Sequence, residues 1–347
     1  MPKHSSTVAP RAIDVFCGCG GLTLGLKQAG FTVIGALDND PLSVETYRKN
    51  HPEVQVWQQD IRDANILGMK RRLHLRKGQL DLLAGCPPCQ GFSSMRTLNG
   101  ARRVDDYRND LVLEFLRFVE GFRPKAVMLE NVPGLATDRR MKFFTRRVRK
   151  LGYSTDCKVL DAADYGVPQR RRRLVMLAAQ GGKLSFPVPD AARMTVADAI
   201  RGLPAPGESG DAAHDVIENR SARIRALISR IPKDGGSRTD LPERAQLPCH
   251  RRCDGFKDVY GRMAWDKPAP TITGGCFNPS KGRFLHPEED RAITLREAAL
   301  LQTFPRSYLF PDCSSKSAVA LMIGNALPPE FVRRHGVEII KVLAGVR

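Results

Sequence analysis

The alternation of short apolar segments with helical segments constrains the fold of this chain most strongly. Apolar runs of strand length occur at residues 12–16, 31–37, 54–57, 80–84, 125–130 and 174–178, with helical patterns between several of them. Strands that alternate with helices form parallel sheets covered on both faces. The first 180 residues therefore predict an α/β, doubly wound, mostly parallel Rossmann-like sheet, which binds ligands at the carboxyl ends of its strands.

The amino-acid composition of the chain changes near residue 181. Residues 181–290 are rich in Pro, Gly and Arg, and they contain one helical pattern, at 220–230. Regular patterns return at 294–302 and at 330–343, where apolar residues predict a packed closing helix. We therefore expect a first domain of residues 1–180 plus 318–347, and a second, smaller, loop-rich domain of residues 181–317.

The charge balance indicates a polyanionic partner. Lys and Arg number 55 against 37 acidic residues, which gives a formal net charge of +18. Nucleic acid is the simplest such partner, and a membrane surface is the alternative. We find no lipidation motif, no basic amphipathic helix and no run of 18 apolar residues, so no membrane partner is expected. Nine cysteines without small-scaffold spacing, and no apolar signal stretch in residues 1–10, predict reduced thiols in the cytoplasm.

A glycine-rich turn follows the first predicted strand. It contains Gly18, Gly20 and Gly21, and glycine lets a backbone approach a ligand closely at the start of a helix. Asp38 ends the second predicted strand, twenty residues after Gly18, where a carboxylate can bond a ribose diol, and Asp60 ends the third. A tight turn without a ligand is the alternative interpretation.

A second motif, Gly85-Cys-Pro-Pro-Cys-Gln-Gly-Phe-Ser93, follows the fourth strand. Two prolines fix the backbone in front of Cys89, which favours a positioned nucleophile. Cys86 and Cys89 also match the spacing of a redox pair or of half a zinc site. Consecutive prolines and the lack of a matching second pair count against zinc.

Two further motifs place charge on the same rim. Glu130 ends the fifth strand, and the alternative for it is a salt-bridged surface carboxylate. The segment Gln169-Arg-Arg-Arg-Arg173 enters the next strand. In an extended backbone Arg171 and Arg173 point to one face and Arg170 and Arg172 to the other, so one of the two pairs can face the site while the other faces solvent or phosphate.

Taken in order, these motifs resemble the C5-cytosine DNA methyltransferases, which use S-adenosylmethionine. The matching segments are Gly18-x-Gly-Gly, Pro-Cys89-Gln, Glu130-Asn-Val, Gln169-Arg-Arg-Arg-Arg173, Arg296-Glu-Ala-Ala-x-x-Gln302 and Gly324-Asn-Ala-Leu-Pro-Pro329. The resemblance covers nearly the whole chain and leaves about residues 181–270 as a variable target-recognition region.

The resemblance implies a sequence-specific DNA (cytosine-5-)-methyltransferase that flips its target base. The Cys89 thiolate would attack C6 of cytosine, and C5 would then take the methyl group of the cofactor. Glu130 would stabilise the charge that develops at N3. Arg173, with Arg171, would bond the cytosine carbonyl and orient Glu130. No residue is identified as the base that removes the C5 proton.

The resemblance also assigns a pocket for S-adenosyl-L-methionine, whose product is S-adenosyl-L-homocysteine. Phe16 would contact the adenine, Asp38 the ribose and Asp60 the adenine edge. The full implied set is Phe16, Gly18, Gly20, Gly21, Leu22, Asp38, Asn39, Asp60, Ile61, Pro88 and Asn325. No metal is expected, and for Cys249 and Cys253 a zinc site lacks its second half.

Double-stranded DNA is the implied partner. Residues 91–110 resemble the family's mobile catalytic loop, and sequence choice is expected from the second domain. The candidate DNA-binding residues are Ser93, Arg96, Arg102, Arg103, Gln169, Arg251, Arg262, Thr271 and Ile272. We expect a monomer associated with the nucleoid, acting as a modification or orphan methylase, with a cognate restriction endonuclease as a candidate partner.

Two alternative functions remain open on the sequence. A tRNA-methylating branch shares these motifs, although its Cys-Phe-Thr signature is not present here. A catalytically inactive binding module would be expected to lack Cys89, Glu130 or the glycine turn, and this chain has all three.

Overall fold

The computed structural model describes residues 8–88, 110–216, 218–251, 257–310 and 315–345, with the side chains of residues 250 and 251 excepted. Seven strands form one sheet: β1 (Arg11–Val15), β2 (Thr32–Asp38), β3 (Gln55–Gln58), β4 (Leu82–Gly85), β5 (Ala126–Asn131), β6 (Tyr153–Asp161) and β7 (Arg172–Gln180). The helices are α1 (Gly21–Ala29), α2 (Pro41–Asn50), α3 (Ile66–Arg72), α4 (Leu111–Phe122), α5 (Arg139–Lys150), α6 (Val196–Ile200), α7 (Ala222–Arg230), α8 (Pro248–Arg251), α9 (Leu295–Leu301), α10 (Lys316–Asn325) and α11 (Pro329–Gly345).

The sheet has the strand order β3-β2-β1-β4-β5-β7-β6. The pairs from β3 to β5 are parallel, whereas β7 runs antiparallel to both β5 and β6. The α/β, mostly parallel sheet predicted from the sequence is thereby confirmed. The order reverses at β1, so the carboxyl ends of β1, β2 and β4 meet at the crevice where such sheets bind ligands.

Apolar faces of the helices cover the sheet. In α4 the predicted stripe Leu111, Phe115, Phe118 and Phe122 is buried, and each such side chain contributes about 1.5–3 kcal/mol by leaving water. Helices α3, α4 and α5 pack in succession against one another, and right-handed crossovers place α1 and α2 on the opposite face of the sheet. On that face the closing helix α11 packs along α1.

The approach of α1 to α11 depends on glycine. A Cβ placed on Gly25 would lie 2.3 Å from the carbonyl oxygen of Pro329 and 2.5 Å from Cβ of Val332. Neither atom can move without shifting the backbone of α11. Gly25 therefore sets the distance between the two helices.

The chain divides into two compact units. The first unit contains residues 1–161, 172–189 and 329–347, and the second contains 162–171 and 190–328. The domain boundaries expected from the sequence differ from this division at residues 162–171 and 318–328, which belong to the second unit, and at 181–189, which belong to the first.

One expectation about helices is wrong. The sequence was expected to contain no basic amphipathic helix, yet α5 buries Met141, Phe144 and Val148 and is otherwise dominated by Arg and Lys. Its three buried apolar residues, spaced three and four apart, are too few to stand out from the charges around them. Among the helices that the structure describes, none has the length and apolar character needed to cross a membrane.

Candidate active site

The turn between β1 and α1 is held in a conformation that favours glycine. Gly18 and Gly20 have φ of 51° and 100°, and Phe16 between β1 and these glycines has φ of 62°. A non-glycine residue such as Phe16 costs of order 1–3 kcal/mol in this backbone conformation, so the conformation persists only where the surrounding structure fixes it. A Cβ on Gly18 would meet no atom within 4 Å, so the space beside the turn is open for a ligand.

Two carboxylates lie near the ends of neighbouring strands beside this turn: Asp38 is the last residue of β2, and Asp60 follows β3 by two residues. Asp38 accepts hydrogen bonds from the backbone N–H of Gly18 at 2.8 Å and of Asp40 at 3.0 Å. Burial raises the pKa of Asp38. Asp60 accepts a hydrogen bond from the N–H of Arg62 at 2.9 Å and begins the short turn that contains buried Ile61. An open glycine turn flanked by two carboxylates fits a nucleoside-containing cofactor, because a carboxylate in this position can bond ribose hydroxyls.

A buried polar chain supports the turn from beneath, and sequence reasoning missed it. Thr23 donates a hydrogen bond to Asp14 at 2.8 Å, and its oxygen lies 2.8 Å from the hydroxyl of Tyr47. The ring centroids of Tyr47 and His51 lie 4.8 Å apart with the rings tilted by 59°, and His51 hydrogen-bonds the backbone of Gly20. Burial raises the pKa of Asp14 to about 8 and lowers that of His51 to about 4. The only signal for this buried polar chain in the sequence is the position of Asp14 at the start of the glycine motif.

Glu130 lies at the end of β5, and the structure brings it together with Arg173 of β7. The guanidinium Nε is 2.9 Å from Oε1 of Glu130, and the two side chains are 16% and 9% exposed. The adjacent Asn131, which sequence reasoning did not single out, donates a hydrogen bond to the carbonyl oxygen of Pro87 at 2.7 Å. Asn131 therefore fixes the segment that leads to Cys89, although Cys89 itself lies outside the described residues.

The start of that segment also depends on glycine. A Cβ on Gly85 would lie 2.6 Å from the carbonyl oxygen of Val15 and 2.9 Å from the ring of Phe115. Glycine at this position lets β4 end directly beside β1. The carboxyl ends of β1, β4 and β5 in the first unit thus hold the glycine turn, the approach to Cys89 and Glu130.

Arg171 does not share the environment of Arg173. It is 2% exposed, belongs to the second unit and precedes β7, which begins at Arg172 in the first unit. Its guanidinium donates hydrogen bonds to the carbonyl oxygens of Ile272, Gly324 and Ala326 at 3.0–3.1 Å. These contacts give Arg171 a structural role in place of the predicted catalytic one.

Gln169 has a comparable structural role in the second unit. It is fully buried, donates hydrogen bonds to Gln302 at 2.8 Å and to the carbonyl oxygen of Leu301 at 3.3 Å, and accepts one from the N–H of Ile272 at 2.8 Å. The predicted DNA contact of Gln169 does not fit this environment, since all its polar atoms already have protein partners.

Arg262 and Ile272, two other predicted DNA contacts, are also fully buried. The guanidinium of Arg262 donates hydrogen bonds to four backbone carbonyl oxygens and pairs with Asp290 at 2.5 Å. Its position follows from packing at long sequence separation, which the composition of the region could not reveal. Thr271 is half-buried and donates a hydrogen bond to the carbonyl oxygen of Arg170 at 2.7 Å.

The other predicted residues have varied positions. Asn39 and Pro88 are exposed in the first unit, Gly21 and Leu22 are buried at the start of α1, and Asn325 is exposed at the end of α10. The structure describes Arg251 only as the last backbone position of α8. Outside the described residues lie Ser93, Arg96, Arg102 and Arg103. Among the residues described, no group of three or more metal-ligating side chains could hold a metal ion.

Comparisons with known proteins agree with this arrangement. The family model of the C-5 cytosine-specific DNA methylases matches residues 11–341. Type II methylase M.HgiDII of Herpetosiphon aurantiacus is 38% identical over 354 residues, which cover 96% of each chain. Type II methyltransferase M1.HphI of Haemophilus parahaemolyticus is 36% identical over 95% of this chain and 86% of its own length.

A solved structure extends the likeness to three dimensions. It is the crystal structure of a candidate DNA modification methyltransferase encoded within a prophage of E. coli. Its TM-score is 0.70 at 26% identity, and the match covers 97% of this chain and 100% of that one. With the family's model matched from β1 into α11, and with the glycine turn and Glu130 at the carboxyl edge of the sheet, this chain belongs to the C-5 cytosine-specific DNA methylase family.

Proposed function

We propose that this Type II modification methylase is sequence-specific, flips its target cytosine out of duplex DNA and uses Cys89 as its nucleophile. One observation carries the proposal. Glu130 near the end of β5 pairs with Arg173 near the start of the antiparallel β7, while Asn131 holds Pro87, two residues before Cys89. An acid and the approach to a cysteine therefore lie on one edge, as attack on a cytosine ring requires.

Each residue type suits the chemistry. Cytosine C5 is a poor nucleophile, so the Cys89 thiolate adds to C6 and turns C5 into an enamine-like carbon. Glu130 stabilises the charge that develops at N3, and Arg173 holds the Glu130 carboxyl in one orientation. C5 then takes a methyl group and loses its proton, and elimination from C6 frees Cys89. We assign no residue as the base for the C5 proton.

S-adenosylmethionine is the proposed cofactor, and when bound it supplies an electrophilic methyl group. In the first unit the turn of Phe16, Gly18 and Gly20 would bind its methionine and adenine portions, Asp38 its ribose and Asp60 its adenine edge. The backbone bonds that fix both carboxylates support this assignment, because the acids keep one orientation before any ligand binds.

The remaining features of the proposal concern the cellular setting. Arg96, Arg102 and Arg103 would contact phosphate from the loop after Cys89, and the second unit would provide sequence choice. We propose a cytoplasmic monomer that acts on the nucleoid, with a restriction endonuclease of the same specificity as its partner.

The test is base-resolution sequencing of 5-methylcytosine in genomic DNA from a methylation-free host. The host expresses the wild type, Cys89→Ala or Cys86→Ala. Cys86 is a matched control because it belongs to the same motif and is half-buried beside Pro87. We expect the mark in one short motif for the wild type and Cys86→Ala, and none for Cys89→Ala.

Retention of the mark in Cys89→Ala at equal protein level would refute the nucleophile. An absent mark with all three proteins, each soluble and abundant, would refute the DNA activity in that host. Methylation spread over cytosines in every context would refute sequence specificity.

A further inference from the structure

Helix α5 has a charge distribution that the packing of the fold does not require. Seven of its twelve residues are Arg or Lys and none is acidic. Met141, Phe144 and Val148 form the buried face. The fold therefore uses one narrow stripe of this helix and leaves most of its charge on the surface.

The cations of α5 fall into three groups. Arg140 pairs with Asp110 at 2.7 Å and with Asp138 at 3.7 Å, and Arg147 pairs with Glu120 at 2.5 Å. Three exposed cations, Lys142, Arg146 and Lys150, have no acidic partner among the residues that the structure describes. Two more exposed cations, Arg139 and Arg149, flank these three.

Helices on the opposite face of the sheet differ in this respect. On α2 Lys49 pairs with Glu45 at 2.8 Å, and on α11 Lys341 pairs with Glu338 at 2.7 Å. Arg333 and Arg334 of α11 both pair with Glu330. Most of the cations on that face therefore pair with a carboxylate of their own helix, with exposed Arg48 of α2 as an exception, whereas Lys142, Arg146 and Lys150 lack such a partner together in one row of the described part of α5.

The spacing of the three cations matches a polyanion. They are four residues apart, so they form one row along the helix surface, with steps of about 6 Å at a rise of 1.5 Å per residue. Duplex DNA carries about one negative charge per 1.7 Å of axis, so a row of cations with this spacing can contact successive phosphates. A row without acidic side chains gains most from such a partner.

We propose that this row, the α5 stripe of Lys142, Arg146 and Lys150 with Arg139 and Arg149 beside it, binds the phosphate backbone of duplex DNA outside the catalytic site. The helix begins at Arg139, eight residues after β5 ends at Asn131, so the stripe leads away from the edge that carries Glu130. The inference rests on the proposed action on DNA. It adds a contact that does not depend on base sequence and that holds long DNA more tightly than short DNA.

Substitution of Phe143 tests whether the stripe binds duplex or single-stranded DNA. Its side chain is 47% exposed beside the stripe. Single strands gain about 1–3 kcal/mol per base by stacking on an aromatic ring, whereas paired bases are not available for this contact. If the stripe binds duplex DNA, Phe143→Ala leaves the affinity unchanged.

The test measures binding to a duplex of about 40 base pairs built only of A·T pairs, which offers no cytosine to flip. The variant Lys142→Gln/Arg146→Gln/Lys150→Gln is compared with Arg48→Gln/Lys49→Gln/Lys341→Gln, which removes the same charge from the opposite face. Three lost phosphate contacts reduce the slope of log K against log salt by about 2.7. We expect this reduction and at least about tenfold weaker binding at low salt in the stripe variant only.

A second measurement separates this proposal from the proposed function. On a duplex of about 12 base pairs that carries the target motif, the stripe variant should methylate at the wild-type kcat, and its KM should rise only on the long duplex. If no protein methylates either duplex, the proposed function fails while the salt slopes still test the stripe.

Any of three results would overturn this proposal. The first is a salt slope of the stripe variant equal to that of the control variant. The others are loss of affinity in Phe143→Ala with preference for single strands, and tighter binding to vesicles of anionic lipid than to the duplex. If the triple variant does not fold, each single substitution should reduce the slope by about 0.9.

Discussion

The ion pair between Glu130 and Arg173 places an acid at the end of β5 in one orientation. Arg173→Ala removes the partner, and a misplaced catalytic group costs about 10²-fold in rate. We expect kcat to fall by about that factor with the KM for the cofactor unchanged, because the glycine turn follows a different strand. Steady-state kinetics on a long duplex measures both values.

The neighbouring exposed Arg172 provides the control. Arg172→Ala should leave kcat within about twofold of the wild type, since surface substitutions away from such contacts have small effects. An equal loss in both variants would show that charge in the segment matters, and not the contact with Glu130.

Substitution of Arg171, two positions before Arg173, should lower stability and leave the rate of the reaction unchanged. Arg171→Ala removes this donor from the buried carbonyl oxygens of Ile272 and Gly324, at a cost of about 1–3 kcal/mol for each group, whereas the carbonyl oxygen of Ala326 keeps a donor from Gln302. We expect a lower denaturation midpoint, followed by urea titration, with kcat of the folded fraction near the wild-type value. A normal midpoint with lost activity would restore the catalytic role predicted from the sequence.

Asp14 should give the stability of the protein a particular dependence on pH. Burial raises its pKa to about 8, so the folded protein keeps a proton that the unfolded chain releases near pH 4. Its contribution to the free energy of unfolding is therefore present at low pH and declines as the pH rises from about 4 to about 8. Asp14→Asn keeps the shape of the side chain and should remove this decline.

Urea unfolding at about pH 5 and at about pH 8 checks the expectation. Asp40→Asn is the control, because Asp40 caps α2 in contact with water and asparagine caps equally well. The prediction is wrong if Asp14→Asn and the wild type lose the same free energy between the two pH values.

At the scale of helices, the close packing of α1 on α11 predicts a contrast between two glycines. Gly25→Ala forces a Cβ against the backbone of Pro329 and should cost about 1–3 kcal/mol of stability by overpacking. Gly345→Ala, at the end of α11, meets no atom within 4 Å and should be neutral or slightly stabilising. Thermal unfolding of both variants tests this; equal midpoints would contradict it.

The elements of the fold differ in how well the sequence predicts them. Helix α4 is predicted because its apolar stripe is periodic and its buried face is wide. Strand β6 is not, because it is an edge strand whose exposed and half-buried residues, such as Lys158 and Val159, show no clear alternation. The antiparallel direction of β7 cannot be predicted from the sequence either, because no residue of β7 specifies which strand it pairs with.

The candidate active site is likewise only partly predictable from the sequence. The glycine turn, Asp38, Asp60 and Glu130 lie at or just after the ends of strands, so local sequence is enough to place them at one edge. Contacts such as Thr23 with Tyr47, or Asn131 with Pro87, join positions 24 and 44 residues apart. No spacing rule connects such pairs, and the same is true of the contacts that bury Arg171 and Arg262.

At the scale of the whole molecule, buried histidine predicts sensitivity to acid. Burial lowers the pKa of His335 in α11 to about 4, so it stays neutral where the unfolded chain takes up a proton near pH 6.5. The free energy of unfolding therefore falls as pH decreases from about 6.5 to about 4, by up to about 3 kcal/mol from this residue. His335→Asn can keep the donor to Phe331 and should weaken this dependence.

His74→Asn is the matched control, because His74 is exposed and asparagine tolerates its φ of 51°. Unfolding in urea across this pH range should show the reduced dependence only for His335→Asn. Identical acid profiles for the two variants would assign the sensitivity to other groups.

The contact between α1 and α11 joins the start of the described chain to its end. Residues 21–29 leave the ribosome long before residues 329–345 exist, so the apolar side of α1 has no final partner during most of synthesis. The first unit can therefore complete its fold only after the last helix has been translated. A chain that stops before residue 329 would leave the side of α1 that packs on α11 exposed, and exposed apolar surface of this kind is what chaperones and proteases recognise.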